Sequence, residues 1–172
     1  MKTHLIFILI LIAIFGCNST TPSTPEGGWK VVPVTDKFGD ETEKAISGVF
    51  KGTFTNMIMT DADMKVVIGV YDDTTLYVQP YEYEDMLASF SRGGCSRSIQ
   101  IKLADGSVIS SPIFPGGCDN GYCQFVYDDE RSLFNILMRE TEPFKCVLGT
   151  EEAMYNFIVD PKGFKDTFEK IL

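Results

Sequence analysis

Between residues 45 and 54 the chain repeats with a period of two. Ile46, Gly48, Phe50, Gly52 and Phe54 take every second place, with Ser47, Lys51 and Thr53 between them. That spacing cannot make one apolar stripe on a helix, but it does make a strand with one buried and one wet face. The same period returns in Ile99, Ile101 and Leu103 against Ser98, Gln100 and Lys102. The two glycines in the first run predict a bend or close packing there.

Other segments extend the pattern. Residues 29–35 (WKVVPVT) predict a first strand, with Pro33 marking a sheet edge. Residues 36–43 are a polar, charged connection. Residues 64–71 and 75–81 flank Asp72-Asp73-Thr74 and form a hairpin. Asp105-Gly106 turns a second hairpin between residues 97–103 and 107–114. Residues 121–127 predict a further strand, and residues 144–149 and 153–159 the last pair.

Two helices complete the prediction. Leu133, Phe134, Ile136, Leu137 and Met138 share a wide apolar face, and Asp128 or Asp129 caps it. Asp160-Pro161 opens the closing helix, Val159 and Phe164 staple its entry, and Phe164, Phe168 and Ile171 line one side. The expected fold is mainly β (α+β). It is an antiparallel β-sandwich or partly open β-barrel of about seven to nine strands with two short helices. Residues 29–172 suit one such domain.

The chain opens differently. Lys2 precedes an unbroken apolar run of 11 residues, Leu5 to Phe15, then Gly16 and Cys17. A membrane-spanning helix needs about 20 apolar residues, so this run suits the hydrophobic part of an export signal instead. Residues 18–28 (NSTTPSTPEGG) hold little apolar surface, so residues 17–28 are expected to be a disordered tether.

Charge and composition exclude whole classes of function. Removing residues 1–16 takes away one base, Lys2, and no acid, which moves the formal net charge from −9 to −10. A surface this acidic repels phosphate backbones, so nucleic acid is not an expected partner. The single histidine, His4, lies in the leader. Ser-His-Asp and Cys-His nucleophile pairs, His-ligated zinc and a histidine pH switch are thereby excluded from the mature chain. No catalytic motif stands out, and no cofactor is expected.

Four cysteines remain: Cys95, Cys118, Cys123 and Cys146. In an oxidising compartment they predict disulfides, with three pairings open. A turn centred on Asp105-Gly106 pairs residues whose numbers sum to about 211, which puts Cys95 near Cys118 at the hairpin's open end. Cys123 and Cys146 flank the first helix. Cys95–Cys118 and Cys123–Cys146 are the preferred bridges. A Cys₄ zinc site lacks its two tight knuckles, so no metal is expected.

The acidic runs (Asp61 and Asp63, Asp72 and Asp73, Glu82, Glu84 and Asp85, residues 128–130) fall in predicted turns or at a helix start and read as solvated carboxylates. Two of them facing each other would make a glycosidase-like hydrolase, the alternative function. Tyr81 and Tyr83 stand among carboxylates and are the candidate contact surface for a protein or glycan.

The leader resembles a bacterial lipoprotein signal. That resemblance implies cleavage before Cys17, attachment of diacylglycerol to its sulfur, with palmitate among the acyl chains of the lipidated N-terminus, and a membrane-anchored envelope protein. Asn18 rather than Asp after the cysteine points to the outer membrane where a cell has two. Further on, Phe38-Gly39-Asp40, Gly52-Thr53-Phe54-Thr55-Asn56, and Tyr155-Asn156-Phe157-Ile158 leading into Gly163-Phe164 are similar to small uncharacterised bacterial envelope lipoproteins. The resemblance implies a β-rich envelope domain; taken with the lack of a catalytic motif, the expected role is non-enzymatic, binding or structural, at a membrane joined through the lipid. It transfers no catalytic residue.

Overall fold

The alternation read from the sequence becomes the ladder of one sheet. A computed structural model describes residues 28–35, 38–70, 75–83, 86–88, 98–119, 122–125, 130–150 and 152–172. Among them run ten strands: β1 (Trp29–Thr35), β2 (Glu41–Asn56), β3 (Ala62–Val70), β4 (Leu76–Glu82), β5 (Met86–Leu87), β6 (Ser98–Lys102), β7 (Val108–Asp119), β8 (Tyr122–Phe125), β9 (Phe144–Gly149) and β10 (Ala153–Val159). Two helices, α1 (Leu133–Arg139) and α2 (Phe164–Phe168), accompany them. The class is the expected one: antiparallel β with two short helices.

The sheet closes on itself. Its order is β1-β2-β10-β9-β6-β7-β8-β4-β3, and β2 also pairs β3. The resulting ring is irregular, because β1 lies outside it on β2 and the two-residue β5 hangs off β4. Closure is made by β2. One edge pairs β3 over Ile46–Phe54, while the other serves β1 up to Gly48 and β10 from Gly52 onward. Pro33 sits in β1, at the end of the strand order, where a missing N–H costs no ladder bond.

β2 is longer than its alternation predicts. Residues 41–44 are exposed yet belong to the ladder, because β1 pairs with them through the backbone. Gly52 is needed for β10 to approach: a Cβ there would meet the Asn156 carbonyl oxygen and lie 2.8 Å from Phe157 Cβ.

Inside the ring the buried side chains form one core cluster, including Phe54, Val66, Ile68, Leu76, Ile101, Leu148 and Tyr155. The helices close one end. Leu133, Ile136 and Leu137 of α1 are buried, with Phe134 and Met138 packed against the cluster. Trp29 meets Phe164 edge-on at 4.7 Å, and Phe134 meets Phe168 at 5.1 Å. Trp29 Nε1 donates to the Asp160 carbonyl at 2.9 Å, which ties the first strand to the end of the last.

Several local expectations shift. The α1 cap is Ser132, whose Oγ accepts from Asn135 N at 3.2 Å, not Asp128 or Asp129, which lie outside the described residues. A serine that is itself buried beside the first turn supplies the acceptor at close range. Asp160 does not cap α2. Its Oδ1 takes Lys162 N in a turn, Phe164 N bonds the Pro161 carbonyl, and the helix starts after Gly163 at φ 82°. The β6–β7 pairs sum to 210 rather than 211 (Ile101 opposite Ile109), because the loop closes between Leu103 N and the Ser107 carbonyl. Gly106 at φ 88° and the Asp105 side chain bonding Ser107 N form the turn itself.

Candidate functional site

The end of the ring opposite the helices gathers three turns. Register places them there: Phe54 pairs both Ala62 and Tyr155, Met64 pairs Glu82, and Glu82 pairs Met86. The β2–β3, β4–β5 and β9–β10 connections therefore share one rim.

Below that rim, a polar bond crosses the interior. Tyr155 Oη donates to Glu82 Oε1 at 2.6 Å, joining β10 to β4. Burial is the main cause that holds the Tyr155 phenol well above its ordinary range, followed by the Glu82 hydrogen bond and charge. The Phe54 ring stacks on Tyr155 at 6.5 Å and receives the Tyr83 ring edge-on at 5.1 Å. Tyr83 holds φ 46°, a conformation that costs a bulky residue about 1–2 kcal/mol. The turn it makes aims its ring back onto Phe54.

The β2–β3 turn is built from inside. Asn56 Oδ1 accepts from Ile58 N and Met59 N at 2.9 and 2.8 Å, and Asn56 N donates to the Met59 carbonyl. Thr55 Oγ1 accepts from Asp61 N at 3.1 Å. An asparagine that satisfies successive amides this way holds a turn without help from packing. The apolar side chains are left outside: Met57 is 97% exposed and Ile58 85%. Met86, Leu87 and Met154 are exposed near the same rim. Single exposed hydrophobes are ordinary, but several displayed together at one end of a molecule are not. Around them stand the exposed carboxylates Asp61, Asp63 and Glu152 and the half-buried Glu82.

The sequence-derived candidates fall as follows. Tyr81 lies on the ring wall opposite Lys65, whose Nζ is 5.4 Å from its ring centroid. Tyr83 packs on Phe54, so the two tyrosines serve different neighbours. Cys17 and Cys95 lie outside the described residues, and with Cys95 goes the expected Cys95–Cys118 bridge. Cys123 and Cys146 are buried thiols, and among the described residues no disulfide is formed. They sit on β8 and β9, with β7 and β6 between them in the sheet. Desolvation pushes the Cys123 thiol up to about 12 and raises Cys146 as well.

Sequence reasoning missed the Tyr155–Glu82 bond and the Met57-Ile58 tip. The tip had a readable signal, Asn56 followed by three apolar residues between two alternating strands. The bond had none, since it joins residues 73 apart. No protein-family model, curated protein or solved structure matches the chain.

Proposed function

We propose that this protein is a lipid-anchored envelope protein that docks another protein on the tip formed by Met57 and Ile58. The observation that carries the reading is a turn hydrogen-bonded within itself that holds two large apolar side chains almost wholly in water. Burying them against a partner is worth about 1.5–3 kcal/mol each. The carboxylates at the rim define the partner's chemistry: an apolar cleft edged with Lys and Arg. Charge complementarity of this kind sets orientation and association rate and weakens with salt. The acyl chains on Cys17 hold the domain at a membrane, about 0.8 kcal/mol per buried methylene, and residues 17–28 give it reach.

A photo-crosslinking residue at position 58 of the full chain, in intact cells, tests the docking. The control is Val108, 63% exposed at the helix end of the ring. A discrete protein adduct from position 58, absent from position 108, is the expected result. Adducts to phospholipid, equal patterns at both positions or no adduct would overturn the docking surface. Cys17→Ala in the same cells is expected to move the protein from the membrane to the soluble fraction. Unchanged fractionation would remove the anchor.

A further inference from the structure

We propose that oxidation joins Cys118 to Cys123, a thiol in this structure, in a cross-strand disulfide that locks the β7–β8 hairpin. Their Cα positions are directly opposed, and the next pair outward is Asp119 with Tyr122. Two residues, Asn120 and Gly121, therefore connect the strands, and Asn-Gly is the strongest short hairpin signal. In a two-residue hairpin the closing pair exchanges both backbone hydrogen bonds, and bonded and non-bonded pairs alternate from there. Cys118 and Cys123 thus occupy a non-hydrogen-bonded level, where opposed Cα atoms approach to about 4.5 Å. Disulfides span Cα separations of about 4.4–6.8 Å, so this register admits one without backbone movement.

The ladder also shows what a lock would do. Between the Ile113–Phe125 pair and the Cys118–Cys123 pair, β7 advances five residues while β8 advances two. A ladder with such a mismatch, running through Pro115, Gly116 and Gly117, is weakly specified and open to slippage. A covalent bond just below the turn pins one register. Other pairings have less support in the sheet. The β6–β7 ladder ends at Ser98 opposite Pro112, well short of Cys118, and two strands separate the one that holds Cys146 from the one that holds Cys123.

The bond forms by thiol–disulfide exchange with an external disulfide. The two cysteine sulfurs together lose two electrons and two protons, one S–S bond forms, and the donor is reduced to two thiols.

Tryptic mapping tests this on the full chain folded in a glutathione redox buffer, alkylated without reduction. Lys102 and Arg131 bound a peptide of residues 103–131 that holds both cysteines; Cys17 falls in residues 3–30, Cys95 in residues 93–97 and Cys146 in residues 146–162. The expected result is peptide 103–131 lighter by two hydrogens and unalkylated, with the other three peptides free of any cross-link to it. Peptide 103–131 cross-linked to any of those three, or carrying two alkyl groups, would overturn the proposal.

Discussion

The Tyr155 hydroxyl bonds the Glu82 carboxylate at 2.6 Å, and this contact links β10 to β4 across the interior of the ring. Between those strands in the sheet lie β2 and β3. The bond therefore braces the rim that displays the Met57-Ile58 tip, and it does so with a phenol that is almost fully buried.

Removing that hydroxyl tests the brace. Tyr155→Phe leaves a half-buried carboxylate without its donor. Bonds to charged groups are worth about 1.5–3 kcal/mol, and water reaching Glu82 offsets part of that, so a loss of about 1–2 kcal/mol is expected. Glu82→Gln keeps an acceptor and should lose less. Urea unfolding of both variants against the wild type checks the order.

Stability should fall in alkali. The folded chain holds Cys123 near 12 and Cys146 and Tyr155 above their ordinary values of 9.0 and 10.0. All three groups are protonated in both states below pH 9, so their contribution is complete there. Above it the unfolded chain releases protons that the folded chain keeps, and unfolding becomes favoured. Each group adds a slope of about 1.4 kcal/mol per pH unit, the thiols from about pH 9 and the phenol from about pH 10. Urea midpoints under reducing conditions from pH 7 to 11 should show this decline, and Cys146→Ala should shallow its onset. A flat profile would contradict the buried, protonated thiols.

Two glycines predict unequal sensitivities. At Gly52 an added methyl meets the Asn156 carbonyl oxygen, which is backbone and cannot step aside. Gly52→Ala is expected to cost about 3 kcal/mol, the upper part of the overpacking range. At Gly39 the space is open and only φ 88° resists, so Gly39→Ala should cost about 1 kcal/mol. Thermal melts of the two variants give the comparison.

Local periodicity explains which parts of this fold could be read in advance. Strands such as residues 98–102 and the apolar face of Leu133, Ile136 and Leu137 follow from side-chain spacing alone. Choices between near-equivalent neighbours do not. Ser132 rather than Asp128 or Asp129 caps α1 because of where tertiary packing starts the helix. A one-residue change in loop closure at Leu103 and Ser107 moved the β6–β7 register. Long-range partners were the least legible: nothing near Glu82 announces Tyr155. Asn120-Gly121 announces the β7–β8 turn, but Cys118 and Cys123 oppose each other only once the strands on both sides are in register.

The tip itself offers the most direct test of the account. Met57 is exposed and oxidisable, so its rate of conversion to sulfoxide by peroxide reports whether something covers it. Quantitative mass spectrometry should find that rate several-fold slower in intact envelopes than in the purified chain, and restored in envelopes by Ile58→Asp. Equal rates in envelopes and in solution would mean that the tip faces water in its working state, and the docking function would fall.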